Sequence, residues 1–490
     1  MAEIKLRLPA FWEFEKRHAS TVHVIGLDGI PWPCRVSKEG HILTVSRNRD
    51  ESGKVFVAYP FQKYGELTIS TGTLPESSVA YDLVTELARG TVNRLRNQTS
   101  IWQEGGLEIT EEVRRLTGEA IERLSRSIMT VGDDSNSDAE EVLRAKDSLG
   151  QEALEIAIDA IFEICGDFGD RIANFRASHT EFSPFWFAGV GTKYYGQKNE
   201  YREKFDVWEC EPSPGETFDT NDSQKIIYGP FLDASINGSS QGYDLMESEF
   251  EPRRRTLLQY CDQTLSEMPK NVSVIHAVSG LNGTGHRNLS FPQQLQLTAD
   301  ILNKIEASAS NVPTLISFDF PWAERLASSV GGTHPLQIAD SLLRQGVPIS
   351  FLGLEVNLDY WPNGSVSRDP LQWIDLIDIW SQLGLPLVFL MRVPQESADE
   401  SSGVVSSLSE DAKKINSVRE NLTDQQRRLL LETVLPMLVA RPNVHGVIWR
   451  QWHDADDVRY PMAGLNDLNG QAKPIIDQIR HVQTKILNRD

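Results

Sequence analysis

Carboxylates stand just after several apolar runs of this chain: Glu209 and Glu211, Asp233, Asp319, Glu355 and Asp454. If the runs are strands, these acids gather at strand ends, and repulsion between two neighbours can hold one protonated near neutral pH while the other stays ionised. That division is what general acid and base chemistry needs. Glu355, Asp319 and Glu209 are the candidate catalytic residues. Arg392 is placed to pair with Glu355 or Asp319 and keep it ionised, which suits a nucleophile or base, or else to bind an acidic sugar. Aromatic residues share the same ends: Trp208, Trp322, Tyr360, Trp361, Trp449 and Trp452. Flat rings bury the apolar C–H faces of sugars while polar neighbours take the hydroxyls, so a sugar cleft is expected. His276, Asn282, His286, His453, Asp454 and Asp233 are its candidate polar contacts.

Other chemistries find little support. The 490 residues carry a formal net charge of -21, which opposes nucleic acid and anionic membranes as partners. The basic run Arg253-Arg254-Arg255 precedes a helical pattern and reads as a solvated helix start. Gly238 to Gly242 spell GSSQG, but in a polar loop rather than on a strand-to-helix elbow. Gly280, Gly283 and Gly285 open no helix as a phosphate loop would. There is no HExxH and no ligand-spaced His/Asp cluster, so neither a metal nor another cofactor is expected. The cysteines at 34, 165, 210 and 261 are far apart and read as reduced thiols. No run reaches the ~18 apolar residues of a membrane span, and the N-terminus lacks a signal-like apolar run. A cytoplasmic protein is expected, with a secreted form as the alternative; the oligomeric state is open.

The elements that must position these residues follow from periodicity. Residues 3 to 80 alternate in short runs (Thr21–Ile25, His41–Val45, Val55–Tyr59) broken by Gly, Pro and Asp, the pattern of strands. Trp12, Trp32 and Phe56 make this β unit a candidate carbohydrate-binding domain, with an accessory layer packed on the barrel as the alternative. Helical spacing takes over at 79–98 and 109–128, and after a polar linker a third helix runs to about Cys165. Beyond Gly166, apolar runs alternate with helical segments over about 320 residues, which predicts a parallel α/β fold of (β/α)8 barrel length. The predicted barrel strands are Phe185–Val190, Lys204–Trp208, Ile226–Leu232, Val272–Val278, Thr314–Phe318, Ser350–Leu354, Pro386–Leu390 and Gly446–Trp449. The expected organisation is a β-rich domain over 1–82, a helical connector over 83–170 and a barrel over 171–490.

Segments of the barrel region resemble the family-10 xylanases. Asp319 in LISFDF matches the aspartate of the family's Ile-Asn-Asp-Tyr-Asn, and Gly346-Val347-Pro348-Ile349 with Gly353-Leu354 matches Gly-Val-Pro-Ile-Asp-Gly-Ile-Gly. LGLPLVFLMRVP is similar to the strand-seven segment Leu-Gly-Leu-Pro-Val-Trp-Ile-Thr-Glu-Leu-Asp-Val. GVIWRQWHDADDVRYPMAGLNDLNGQAKP is similar to the strand-eight segment with its closing Asn-Gly-x-x-Lys-Pro. EKFDVWECEPSPGETFD and IIYGPFLDAS are similar to strands two and three. The resemblance covers roughly residues 180 to 485 and implies a barrel and endo-β-glycanase activity on a polysaccharide. The two glutamates that carry the family's catalysis are missing from their expected positions. Gly280 stands at the acid/base position after Ile275-His276-Ala277-Val278-Ser279, with His276 at the position of the family's aspartate, and Met391 stands at the nucleophile position. Glu355 occupies a strand-six position where the family has glutamine. Two readings follow: a glycosidase using displaced carboxylates, and a catalytically silent barrel that binds glycan.

Overall fold

The computed structural model describes residues 2–130, 139–179, 185–190, 205–212, 225–234, 249–282, 289–328, 332–395, 424–454, 456 and 460–486. The string GSSQG and His286, Gly283 and Gly285 lie outside them.

The N-terminal alternation folds into two four-stranded sheets. One has the order β4 (Cys34–Glu39), β5 (Ile42–Arg47), β1 (Ala2–Arg7), β8 (Tyr81–Asp82). The other runs β3 (Pro31–Trp32), β2 (His23–Ile25), β6 (Gly53–Phe61), β7 (Gly65–Leu74). A short helix α1, Lys16–Thr21, joins β1 to β2. Three helices follow: α2 (Leu83–Glu104), α3 (Glu111–Met129), whose Thr110 side chain accepts the N-terminal bond from Val113 N, and α4 (Ala139–Ser178). The last runs beyond the expected end near Cys165, because Ile164, Cys165, Gly169, Ala173 and Arg176 keep a buried stripe at helical spacing.

The remaining strands are all parallel and close on themselves. Their order is β9 (Trp186–Val190), β10 (Val207–Cys210), β11 (Lys225–Tyr228), β13 (Val272–Ser279), β14 (Thr314–Asp319), β15 (Phe351–Asn357), β16 (Leu387–Arg392) and β17 (Val444–Trp449), with β17 pairing back to β9. The two-residue β12, Leu232–Asp233, continues the third strand alongside β13. Between β11 and β12 the chain passes Gly229 at φ 146°, where a Cβ would collide with the His276 carbonyl, so only glycine fits. This is a (β/α)8 barrel. Its described helices are α5 (Phe250–Ser266), α6 (Phe291–Ala309), α7 (Pro335–Arg344), α8 (Pro370–Ser381), α9 (Asp424–Ala440) and α10 (Pro474–His481). The basic run lies within α5; Arg253 is buried and Arg254 pairs with Asp300 at 2.5 Å.

Side-chain alternation along the strands then defines the barrel interior. Ala188, Val207, Ile227, Val274, Leu315, Val388, Leu390 and Ile448 pack together as an apolar plug. Two residues further along the same strands, on the same face, stand Glu209, His276, Ser317, Arg392 and Arg450. A polar layer therefore rests on the plug at the C-terminal ends of the strands, where barrel enzymes place their chemistry. The alternation also puts Met391 outside the barrel, in the core between strands and helices. Arg392, not Met391, is the inward residue at that strand end.

Candidate functional site

Glu355 is the centre of the polar layer, almost wholly buried on β15. Its Oε1 accepts three hydrogen bonds: Ser279 Oγ at 2.7 Å, the Gly280 backbone N–H at 2.7 Å and Ser317 Oγ at 2.5 Å. Gly280 aims its N–H from a left-handed backbone, φ 58°, a conformation that costs glycine little. The second oxygen lies 4.0 Å from Arg392 Nη1. Burial pushes this carboxyl up, but the charges of Arg450 and Arg392 and the two serine hydrogen bonds outweigh it and hold Glu355 below the ordinary carboxylate range.

Asp319 sits directly beside it, since β14 and β15 pair Asp319 with Glu355 in register. Here the balance goes the other way. Burial and then the negative charge of Glu355 raise the Asp319 carboxyl well above its ordinary value, against weaker opposition from the Phe320 N–H and Arg392. Asn357 Nδ2 donates to Asp319 Oδ1 at 3.1 Å and Arg392 Nη1 donates to Asn357 Oδ1 at 3.0 Å, so the amide spaces the arginine from the acid. Asn282 Nδ2 reaches the Asp319 carbonyl at 2.6 Å.

Glu209 is held differently. Arg450 Nη1 lies 2.9 and 2.8 Å from its two oxygens, and His276 Nδ1 lies 2.5 Å from Oε1. Burial alone would raise this carboxyl; the Arg450 charge and the His276 contact bring it below the ordinary value. His276 Nε2 contacts Ser317 Oγ at 2.9 Å, so an unbroken chain of contacts runs from Glu209 through His276 and Ser317 to Glu355. Glu211 is exposed and Asp233 half-buried.

The remaining sequence candidates are dispersed. Trp449 is fully buried and donates from Nε1 to the Ala463 carbonyl at 3.0 Å. Trp452 is buried with its ring 5.3 Å from that of Trp208. Tyr360 donates to the Pro461 carbonyl at 2.7 Å, and Trp361 donates from Nε1 to Ser20 Oγ at 3.2 Å, so it packs against the N-terminal unit. Trp322 bonds the Gln372 carbonyl and lies in the groove between that unit and the barrel. Asp454 is paired with Lys473 at 2.6 Å, and His453 Nδ1 contacts the Asp467 carbonyl at 3.3 Å. The structure thus brings Glu355, Asp319, Glu209, His276, Asn282 and Arg392 together, while Trp449, Trp452, Tyr360 and Trp361 are buried in packing contacts and Trp322 lines a separate groove.

Sequence reasoning missed Ser279, Ser317, Asn357 and Arg450. For Ser317, Asn357 and Arg450 the available signal was parity: each lies two residues beyond an inward residue of its strand, and a polar residue there must meet a partner; Ser279 lies past a register shift after His276, which parity does not carry. Among the described residues no group of three or more His, Cys, Asp or Glu is arranged to hold a metal ion, and no helix is long and apolar enough to cross a membrane.

No family model matches the chain, and no curated protein matches it. Among solved structures it is similar to xylanase 10B from Thermotoga maritima, at 12% identity and TM-score 0.42, covering 66% of this chain and 98% of that one. Xylanase 10B from Thermotoga petrophila RKU-1, in complex with xylobiose, gives 10% identity and TM-score 0.43 over 66% and 98%. A thermostable mutant of the xylanase Xyn10A from Cellvibrio japonicus gives 11% identity and TM-score 0.42 over 63% and 99%. The barrel itself is established by its closed ladder of strand pairs.

Proposed function

We propose that the barrel is a glycoside hydrolase acting on a poly- or oligosaccharide, with Asp319 as the proton donor and Glu355 as the ionised carboxylate. The observation that carries this reading is the register pairing of two buried carboxyls whose surroundings push them in opposite directions, Asp319 up and Glu355 down. Hydrolysis of a glycosidic bond needs one carboxylic acid to protonate the leaving oxygen and one carboxylate to attack the anomeric carbon or activate water. Asp319 supplies the proton. Glu355 supplies the negative charge, kept ionised by Arg392, Arg450 and its hydroxyl donors. The resemblance of strands five to eight to xylanase segments points to a β-glycan as the substrate class.

A second reading, a barrel that binds glycan without cleaving it, is favoured by one specific feature: Glu209 is neutralised by Arg450 and one oxygen of Glu355 is saturated by three donors. Reducing-sugar release from a panel of xylan, cellulose and uronic-acid-containing glycans separates the two. The hydrolase predicts release that falls about 10²–10⁴-fold in Glu355→Gln and in Asp319→Asn, the range expected when a positioned acid or base is removed. Release from none of the glycans, with calorimetric binding retained in Glu355→Gln, sinks the hydrolase and leaves the binder.

A further inference from the structure

Outside the barrel mouth, a cavity of about 300 Å³ opens where the N-terminal unit meets the barrel. That is the small end of the size range of small-molecule sites, which favour domain junctions. Its walls are apolar, with Phe56 from β6, Trp322 from the loop after β14, and Leu376 and Ile379 from α8. Within it lies Arg368, only 2% exposed, with its guanidinium 5.0 Å from the Trp322 ring and 5.8 Å from that of Phe56. A guanidinium has five N–H donors, yet among the described residues this one makes a single hydrogen bond, Nη1 to Gln372 Oε1 at 2.8 Å, and its Nε is buried with no partner there.

A buried cation is normally matched by a carboxylate in contact. Asp369, the next residue, is committed to Arg94 at 2.8 Å. Glu324 and Asp369 act on Arg368 only as charges at a distance. Both Glu324 oxygens are themselves buried, with no hydrogen-bond partner among the described residues. Burial pulls the Arg368 pKa below the usual arginine range, as expected of a desolvated cation without a contact ion pair. Lys54, exposed on the rim, adds a second positive charge, which also acts on Asp375 of α8 in the same lining. His334, also lining the cavity, is kept neutral by burial, which lowers its pKa to about 4.

We propose that this junction cavity binds a carboxylate carried on a ring, with the carboxylate against Arg368 and Lys54 and the ring against Trp322, Leu376 and Ile379. An aromatic acid and a uronic acid share that chemistry. The site is separate from the Asp319–Glu355 pair and stands or falls independently of the hydrolase reading.

Calorimetric titration of the full chain with benzoate, glucuronate and glucose tests it. One benzoate or glucuronate is expected to bind per chain, with no binding of glucose; the stronger of the two acids identifies the source. Lys54→Glu, a change at an exposed position, is expected to weaken binding about tenfold or more, equivalent to ~1.4 kcal/mol. Ile379→Trp, which fills the cavity, is expected to abolish it, as is Arg368→Met where that variant folds. The proposal is overturned if neither acid binds at millimolar concentration, if glucose binds as well as glucuronate, or if Lys54→Glu and Ile379→Trp both bind like the parent chain.

Discussion

Two adjacent carboxyls whose surroundings shift them in opposite directions make the pH behaviour of this protein specific. The Asp319 carboxyl is raised in the folded chain, so its contribution to stability is fully present below the ordinary aspartate value and is lost as pH rises through the raised folded value. Glu355 is depressed, so its contribution is present above the ordinary glutamate value and is lost as pH falls through the lower folded one. Asp319→Asn is therefore expected to flatten the fall of melting temperature on the alkaline side without changing the acid limb; a parallel drop in both chains would refute the assignment. Arg450 is the other sensitive residue. Arg450→Met leaves Glu209 buried without its cation, and breaking such a pair typically costs about 3–5 kcal/mol. Urea denaturation should show that loss, and a loss under about 1 kcal/mol would mean that His276 alone compensates Glu209. The acids of this cluster were legible in the sequence because barrel strands end where apolar runs end. Their partners were not, because Ser317 and Arg450 acquire meaning only once inward and outward parity is known. Met391 shows the same limit: one position along a strand reverses the facing of every side chain, and Arg392 is the residue that looks inward.

Among the elements, the eight barrel strands were readable because parallel strands buried on both faces form continuous apolar runs. Their ends were less so: β10 begins at Val207 rather than Lys204, and β15 continues to Asn357 rather than ending at Leu354. The surroundings of two aromatic residues were hidden for a related reason. Trp361 and Trp322 follow barrel strands in sequence, but the N-terminal unit packs over them, a tertiary contact that periodicity does not carry. The junction of α4, α9 and β17 is likewise invisible before folding. Arg176 Nη1 on α4 lies 2.9 Å from each of the carbonyls of Val439, Arg441 and Val444, joining the end of α9 to the start of β17. Arg176→Met removes a buried donor shared by three carbonyls, of which that of Arg441 keeps the Val444 N–H, at a cost of about 2–3 kcal/mol. Chemical denaturation should report that loss, with the denaturant slope unchanged; an unaffected midpoint would show that water replaces the guanidinium.

For the molecule as a whole, one large apolar cluster crosses the expected boundaries between a β domain, a connector and a barrel. One cluster of buried side chains runs from Ile4 and Val45 in the first sheet through Leu87 and Ile161 in the helices to Leu438 and Val447 in the barrel. Polar links follow the same route. Thr68 N donates to the Ser367 carbonyl at 2.7 Å, and Arg94 on α2 grips Asp369 bidentately at 3.1 and 2.8 Å while Asp369 also caps α8. Asp369 is wholly buried, so Arg94 cannot be removed without stranding a charge. Elements that share a core and a buried ion pair unfold together. Calorimetry of the full chain should accordingly show one heat-absorption peak, and Arg94→Met should move it to lower temperature by an amount matching about 3–5 kcal/mol without splitting it. A chain shortened to residues 171–490 would bare the face of α9 that α4 covers and is expected to aggregate rather than melt cooperatively. Two resolved peaks in the parent, or a shortened chain with a sharp transition of its own, would instead make the N-terminal third an independent module resting on the barrel.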